Sequence, residues 1–149
     1  MKKNGFTILE ILIVVTIIAA ASGFGLLYYQ TTHLRADLNG QSEILVSYLR
    51  LAQSNTNSGK DSFNAIHFQQ NSYIIFSGAV YDPLDPQNHE IAVPPLIIMR
   101  NFSFNGGGTD VIFDPPDGTT DNYGTLDLFS EQLNKNITLN ITQIGSINY

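Results

Sequence analysis

The largest change in polarity along the chain comes at its start. Lys2, Lys3 and Asn4 are followed by Gly5, Phe6 and one acid, Glu10, and from Ile11 to Tyr29 nineteen residues carry no charge. A helix rises about 1.5 Å per residue, and about 20 apolar residues cross the hydrocarbon core of a bilayer. Phe6 to Tyr29 therefore spans a membrane if helical. Lys2 and Lys3 hold their end in the cytoplasm, since positive flanks resist translocation, and the chain beyond about Gln30 lies outside.

Helical periodicity continues past the apolar run. Leu34, Leu38, Leu45, Leu49 and Ala52 fall at steps of 4, 7, 4 and 3, which makes one stripe of an amphipathic helix. Arg35, Asp37, Asn39, Glu43, Ser47 and Arg50 take the opposite face. The pattern predicts one helix from Phe6 to about Ser54, about 73 Å long at the ideal rise. Gly23, Gly25 and Gly40 each cost about 1 kcal/mol relative to alanine inside it. Gly23 and Gly25 are candidate sites of close helix packing. Tyr28 and Tyr29, where the run ends, suit the headgroup belt. Asn55, Asn57, Ser58 and Gly59 end the helix.

Beyond Gly59 the period shortens to about two. Phe63–Phe68 and Ser72–Phe76 read as a hairpin around Gln69, Gln70 and Asn71. Ser77–Pro95 holds four prolines and reads as a loop, or as an irregular excursion with a short edge strand. Pro95–Phe104 is a near-continuous strand region, Gly106–Gly108 a turn, and Asp110–Phe113 a short strand. Asp114–Asn122 is a turn, Tyr123–Phe129 and Asn136–Ile141 alternate as strands, and Ile147–Tyr149 is a last edge. The expected class is α+β: a long N-terminal helix, its first half transmembrane and its second amphipathic, on an antiparallel head of about seven strands.

Composition narrows the chemistry. At 149 residues and 43% hydrophobic content, one domain plus a membrane helix is expected. Without cysteine the head is held by packing alone. The net charge is −6, or −8 without Lys2 and Lys3, and the remaining basic residues are scattered, which disfavours nucleic acid. His33, His67 and His89 stand apart in the sequence, on helix, strand and loop, without metal-ligand spacing. Asp114, Asp117 and Asp121 read as turn residues, with calcium as the lesser alternative because Pro115 and Pro116 break any EF-hand spacing. Asp82 and Asp85 before prolines read as caps. No nucleophile motif, phosphate loop or cofactor signature is present. Asn101, Asn136 and Asn140 begin sequons, which strand propensity accounts for without sugar.

Glu10 is the anomaly. A carboxylate in an apolar run costs several kcal/mol unless paired or neutralised. Cleavage after Gly5 would supply a partner, because Phe6 would then carry an ammonium four residues earlier, on the same helix or on a staggered neighbour. An ordinary secretory signal peptide cut at Ala19–Ala21 is the alternative, set against Glu10 and the apolar run continuing from Phe24 to Tyr29.

The stretch KKNGFTILEILIVVTIIAA resembles the class III signal of type IV pilins and type II secretion pseudopilins. The resemblance implies cleavage by a prepilin peptidase between Gly5 and Phe6, N-methylation of Phe6, Glu10 as the acid that pairs with a neighbouring N-terminus, and Gly23 and Gly25 as candidate soft points where the helix stretches in a filament. It divides the chain into a leader (1–5), a transmembrane or filament-core helix (6–29), an amphipathic half (30–54) and a β-rich head (55–149). More loosely, GGGTDVIF, DGTT, YGTLDLF and NITLNITQIGSI are similar to GspH/FimT-like minor pilins and pseudopilins. Many relatives carry a C-terminal disulfide loop, which this chain lacks. Some bind DNA through a basic tail; ITQIGSINY has no Lys or Arg, so no nucleic-acid partner is carried over.

The implied role is structural and not enzymatic: a subunit of a pilus-like filament or secretion pseudopilus. Its partners would be the peptidase, other pilin subunits, a membrane assembly platform and, before assembly, the lipid bilayer. It would sit in the cytoplasmic (inner) membrane by a single pass, then in an extracellular or periplasmic filament. A tip adhesin with the same anchor, or a secreted β-domain, are the alternatives.

Overall fold

The computed structural model describes residues 6–57 and 64–149, with the side chains of 23–31 and 57 outside the description. One helix, α1, spans Ile8–Asn57. Eight strands follow: β1 (Ala65–Phe68), β2 (Ser72–Phe76), β3 (His89–Ala92), β4 (Ile97–Phe104), β5 (Asp110–Ile112), β6 (Gly124–Ser130), β7 (Lys135–Ile141) and β8 (Ile147–Asn148). They form two antiparallel four-stranded sheets, ordered β3-β2-β1-β5 and β4-β6-β7-β8. The α+β class read from the sequence is the class observed. The strand beyond the expected seven is β3, the edge strand inside the proline-rich excursion. The helix runs past the expected end near Ser54 to Asn57, so Asn55 and Asn57, read as turn formers, are helical, while Ser58 and Gly59 lie outside the described residues.

The helix packs by its stripe. Leu38, Leu45, Leu49 and Ala52 are buried, joined by Val46 and by the polar Gln41, Ser42 and Thr56. Arg35, Asp37, Asn39, Glu43, Ser47 and Arg50 are exposed, as the periodicity requires. The stripe touches β1 of the first sheet and β6, β7 and β8 of the second, so one helix closes both. Its core partners include Ile66, Phe68, Tyr73, Val111 and Phe113 on one side and Leu126, Leu128, Leu139 and Ile141 on the other. Each fully buried leucine contributes about 1.5–3 kcal/mol by leaving water. Gln53 adds a polar tie, its Nε2 donating to the Gly118 carbonyl at 2.9 Å.

In the first sheet the β1–β2 hairpin sets Phe68 opposite Tyr73 and Ala65 opposite Phe76. All five residues of β2 are buried, so both faces of this strand are covered. Tyr73 and Ile75 meet the helix-side core. Ile74 and Phe76 point the other way, as strand alternation requires. The excursion after β2 returns over that second face: the Tyr81 ring meets Phe76 edge-on at 5.4 Å and stacks on His67 at 4.0 Å. Asp82 and Asp85 do cap this loop, accepting from the Leu84 and Gln87 amides at 2.9 and 2.8 Å.

In the second sheet the pairing of β4 with β6 shifts between Arg100 and Ser103. The bulge places Asn101 at φ 54°, a left-handed conformation that asparagine tolerates. Its amide donates to Asp127 at 2.8 Å, and the Thr138 hydroxyl donates to the same carboxylate at 2.6 Å. The Arg100 guanidinium lies 3.4 Å over the centre of the Phe129 ring. The partial burial of Asp127 works to raise its pKa. Hydrogen bonds from Thr138, Asn101 and Asn136, with the charge of Arg100, outweigh that and hold it below its ordinary value. Past the bulge the strands close tightly on Gly124, whose φ is 154°. A Cβ there would lie 2.0 Å from the Ser103 carbonyl oxygen.

Two outcomes follow from these contacts. Gly124→Ala should lower the stability of the detergent-solubilised chain by about 3 kcal/mol, read from urea melts, because the methyl meets backbone and not a movable side chain. A carboxylate whose folded pKa is depressed stabilises the fold above its unfolded pKa and loses that contribution as pH falls through the folded one. The loss for Asp127 therefore falls below about pH 4. Asp127→Asn should flatten the fall in stability between about pH 4 and about pH 2 relative to the parent chain; equal slopes would contradict this.

Candidate processing and assembly site

The first turn of α1 is set by a residue that the sequence reading passed over. Thr7 precedes the first helical residue, and its Oγ1 accepts the Glu10 amide at 3.3 Å. The Thr7 carbonyl accepts from Glu10 and Ile11 at 3.1 and 3.2 Å. Thr7 is thus the N-cap, satisfying amides that have no partner within the helix. The signal was available: Thr7-Ile8-Leu9-Glu10 has the Ser/Thr-x-x-Glu spacing of a capping box.

The cap moves the helix start from the expected Phe6 to Ile8, so Phe6 lies just before the helix. Phe6 and Glu10 therefore do not form the pair of helical residues that the four-residue spacing suggested. Glu10 stands in the first turn, where the positive end of the helix dipole favours an acid. Phe6, Glu10, Ile11, Val14 and Val15 line one shallow groove along this end. Among the described residues the Glu10 carboxylate has no ion-pair partner. Gly5, the expected last leader residue, lies outside the described residues, as do Lys2 and Lys3.

From Phe6 to Ile18 every large apolar side chain is between 50% and 81% exposed. The helix here is an arm with no part of its own head against it. Among the described residues no helix is long and apolar enough to cross a membrane. The sequence-predicted span ends at Tyr29, and from Gly23 onward it runs through positions whose side chains are outside the description. The expectations for Gly23, Gly25, Tyr28 and Tyr29 fall there too.

The other candidates resolve as structure. His67, expected to stand alone, has its Nδ1 2.5 Å from Asp110 Oδ1 on the adjacent strand β5. The strands bring together two residues 43 positions apart, which no local motif announces. His89, expected in a loop, opens β3. Asp114 and Thr119 form a bridge closed by the Asp114 amide on the Thr119 carbonyl at 2.8 Å. In that turn it is the Thr120 hydroxyl that accepts a backbone amide, from Asn122 at 3.1 Å. Among the described residues no group of three or more His, Cys, Asp or Glu is placed to hold a metal ion. The sequon residues Asn101, Asn136 and Asn140 lie on exposed positions of β4 and β7.

Residues 1–26 match the family described as the prokaryotic N-terminal methylation motif. No curated protein matches the chain, and no solved structure matches it. The chain therefore carries a type IV pilin-like prepilin signal, the class of signal that directs prepilin-type processing. The match covers residues 1–5, Thr7, Glu10 and most of the exposed arm, and it does not reach the head.

Proposed function

We propose that the chain is a minor pilin or pseudopilin, a structural subunit of a type IV pilus-like filament or a type II secretion pseudopilus. The observation that carries this reading is the junction of the prepilin signal with an apolar arm exposed on all sides. A prepilin peptidase cuts after Gly5 and methylates the new terminus at Phe6. Before assembly the run from Phe6 to Tyr29 is held in the lipid of the cytoplasmic membrane with the head outside. On assembly it leaves lipid for the company of other subunits, so its apolar side chains stay dry throughout.

Glu10 gives the step its direction. A lone carboxylate at the arm's capped end is destabilising in a dry filament core unless a cation reaches it. The Phe6 ammonium of a neighbouring subunit is that cation, and the pairing fixes the axial offset between copies. The head, of GspH/FimT-like kind, then decorates the filament surface. No step in this role requires catalysis by the chain, and its partners are the peptidase, the membrane assembly platform and its fellow subunits.

Mass analysis of the mature protein should find a methylated Phe6 as the first residue. A terminus at Met1, or one beyond Ala21, would contradict the reading. Gly5→Arg should abolish maturation and leave the full-length precursor in the membrane. Glu10→Ala should mature normally yet enter filaments poorly, seen as precursor-free protein absent from the sheared filament fraction. Normal incorporation would remove the pairing from the mechanism.

A further inference from the structure

Asp82 to Asn88 reads Asp-Pro-Leu-Asp-Pro-Gln-Asn, one turn written twice. Proline after aspartate presets the second position of a turn, and the aspartate carboxylate can hold the amide of the third. Both turns close. The Asp85 backbone amide donates to the Asp82 carbonyl at 3.2 Å, and the Asn88 backbone amide to the Asp85 carbonyl at 3.1 Å. Asp82 Oδ1 accepts from the Leu84 amide and Asp85 Oδ1 from the Gln87 amide, while Asn88 Nδ2 donates to the Asp82 carbonyl at 2.7 Å. Ahead of the turns the Gly78 amide donates to Asn64 Oδ1 at 2.9 Å, and Tyr81 turns inward against His67 and Phe76. The loop is thus tied at both ends and in its middle, and what it holds outward is apolar. Val80 is 79% exposed and Leu84 88%, more than any other large apolar side chain among the described residues.

A lone exposed aliphatic is ordinary on a protein surface. Two on a backbone already held in place differ, because covering them requires little further ordering of the loop. The flanking charge selects the partner. Asp82 and Asp85 stand on either side of Leu84 in the chain, and neither has an ion-pair partner among the described residues. From Asp61 to Met99 the chain holds no Lys or Arg. A lipid surface fits badly, since binding at anionic headgroups is helped by Lys and Arg and opposed by carboxylates. A second copy fits badly too. Outside residues 1–5 its Lys and Arg residues are Arg35, Arg50, Lys60, Arg100 and Lys135, scattered along an acidic chain, and Arg100 rests on the Phe129 ring. We infer that the Val80–Leu84 loop is a docking knob for a different protein, one that offers an apolar socket rimmed by Lys or Arg. The inference is carried by the head alone and stands or falls apart from the filament reading.

The test uses the full-length chain in the cells that produce it, with a photo-activated benzophenone amino acid in place of Leu84 or, separately, Val80. Irradiation should link the chain to one other protein, identified by mass spectrometry, with Lys or Arg flanking the linked site. Asp82→Asn combined with Asp85→Asn removes two charges and keeps the turns, because an asparagine side chain accepts the same amides. The yield of the link should then fall about fivefold. Raising salt from about 0.05 M to about 0.5 M in isolated membranes should lower it in the parent chain as well. The protein so identified, once purified, should bind the parent chain in detergent and bind Leu84→Ser about tenfold more weakly or worse. Leu84→Ser should melt at the parent's temperature, since the side chain it removes is exposed. If it melts lower, the Asp-to-Asn pair and the salt series still decide. A link to another copy of the chain, a link to lipid, no link from either position, or a link indifferent to charge and salt would each overturn the inference.

Discussion

A single α-helix of fifty residues cannot bury an apolar stretch at one end by folding on itself. That stiffness is the constraint from which the rest of the molecule follows. The second half of the helix has a narrow apolar stripe, and two sheets cover it. The first half is almost wholly apolar, and among the described residues nothing is placed to cover it. On the proposed reading lipid or other subunits do so, and the arm is exposed in the isolated protein because the helix that presents it is also the helix that holds the head together.

The head is suited to that task by the way its core is divided. Two sheets of four strands share one helical stripe, whose Leu38, Leu45, Leu49 and Ala52 belong to one core with residues of both. With no disulfide, loss of the stripe would separate the sheets. The outer faces are dealt with differently. A capped, proline-containing loop covers the far side of β2 with Tyr81, while the far side of the second sheet stays wet, with Asp127 gathering hydrogen bonds from Asn101 and Thr138. The hydrogen bonds on that face are local, as suits a solvated sheet face, while the buried Nε of Arg100 makes none and its guanidinium rests on the Phe129 ring.

On the proposed reading, processing and assembly meet at the helix start. Thr7 completes the first turn and Glu10 occupies it, which stabilises the acid at the cap while leaving it without an ion-pair partner among the described residues. The cap also explains why Phe6 is outside the helix, on an exposed stretch.

Much of this was legible in the residues alone. The charge-free run, the stripe from Leu38 to Ala52, the hairpin around Gln69–Asn71 and the alternation of Ile137, Leu139 and Ile141 are consequences of local period, which sequence records directly. The α+β class followed from the change of period after Gly59. The capping role of Thr7 was also recorded locally, in a spacing that went unread. Other features had no local record. The division of eight strands between two sheets, the meeting of His67 with Asp110, the return of Tyr81 over Phe76 and the closeness of Gly124 to Ser103 join residues far apart in the chain. Such contacts depend on which strand edges come together when the core closes on the helix. Tertiary packing decided that.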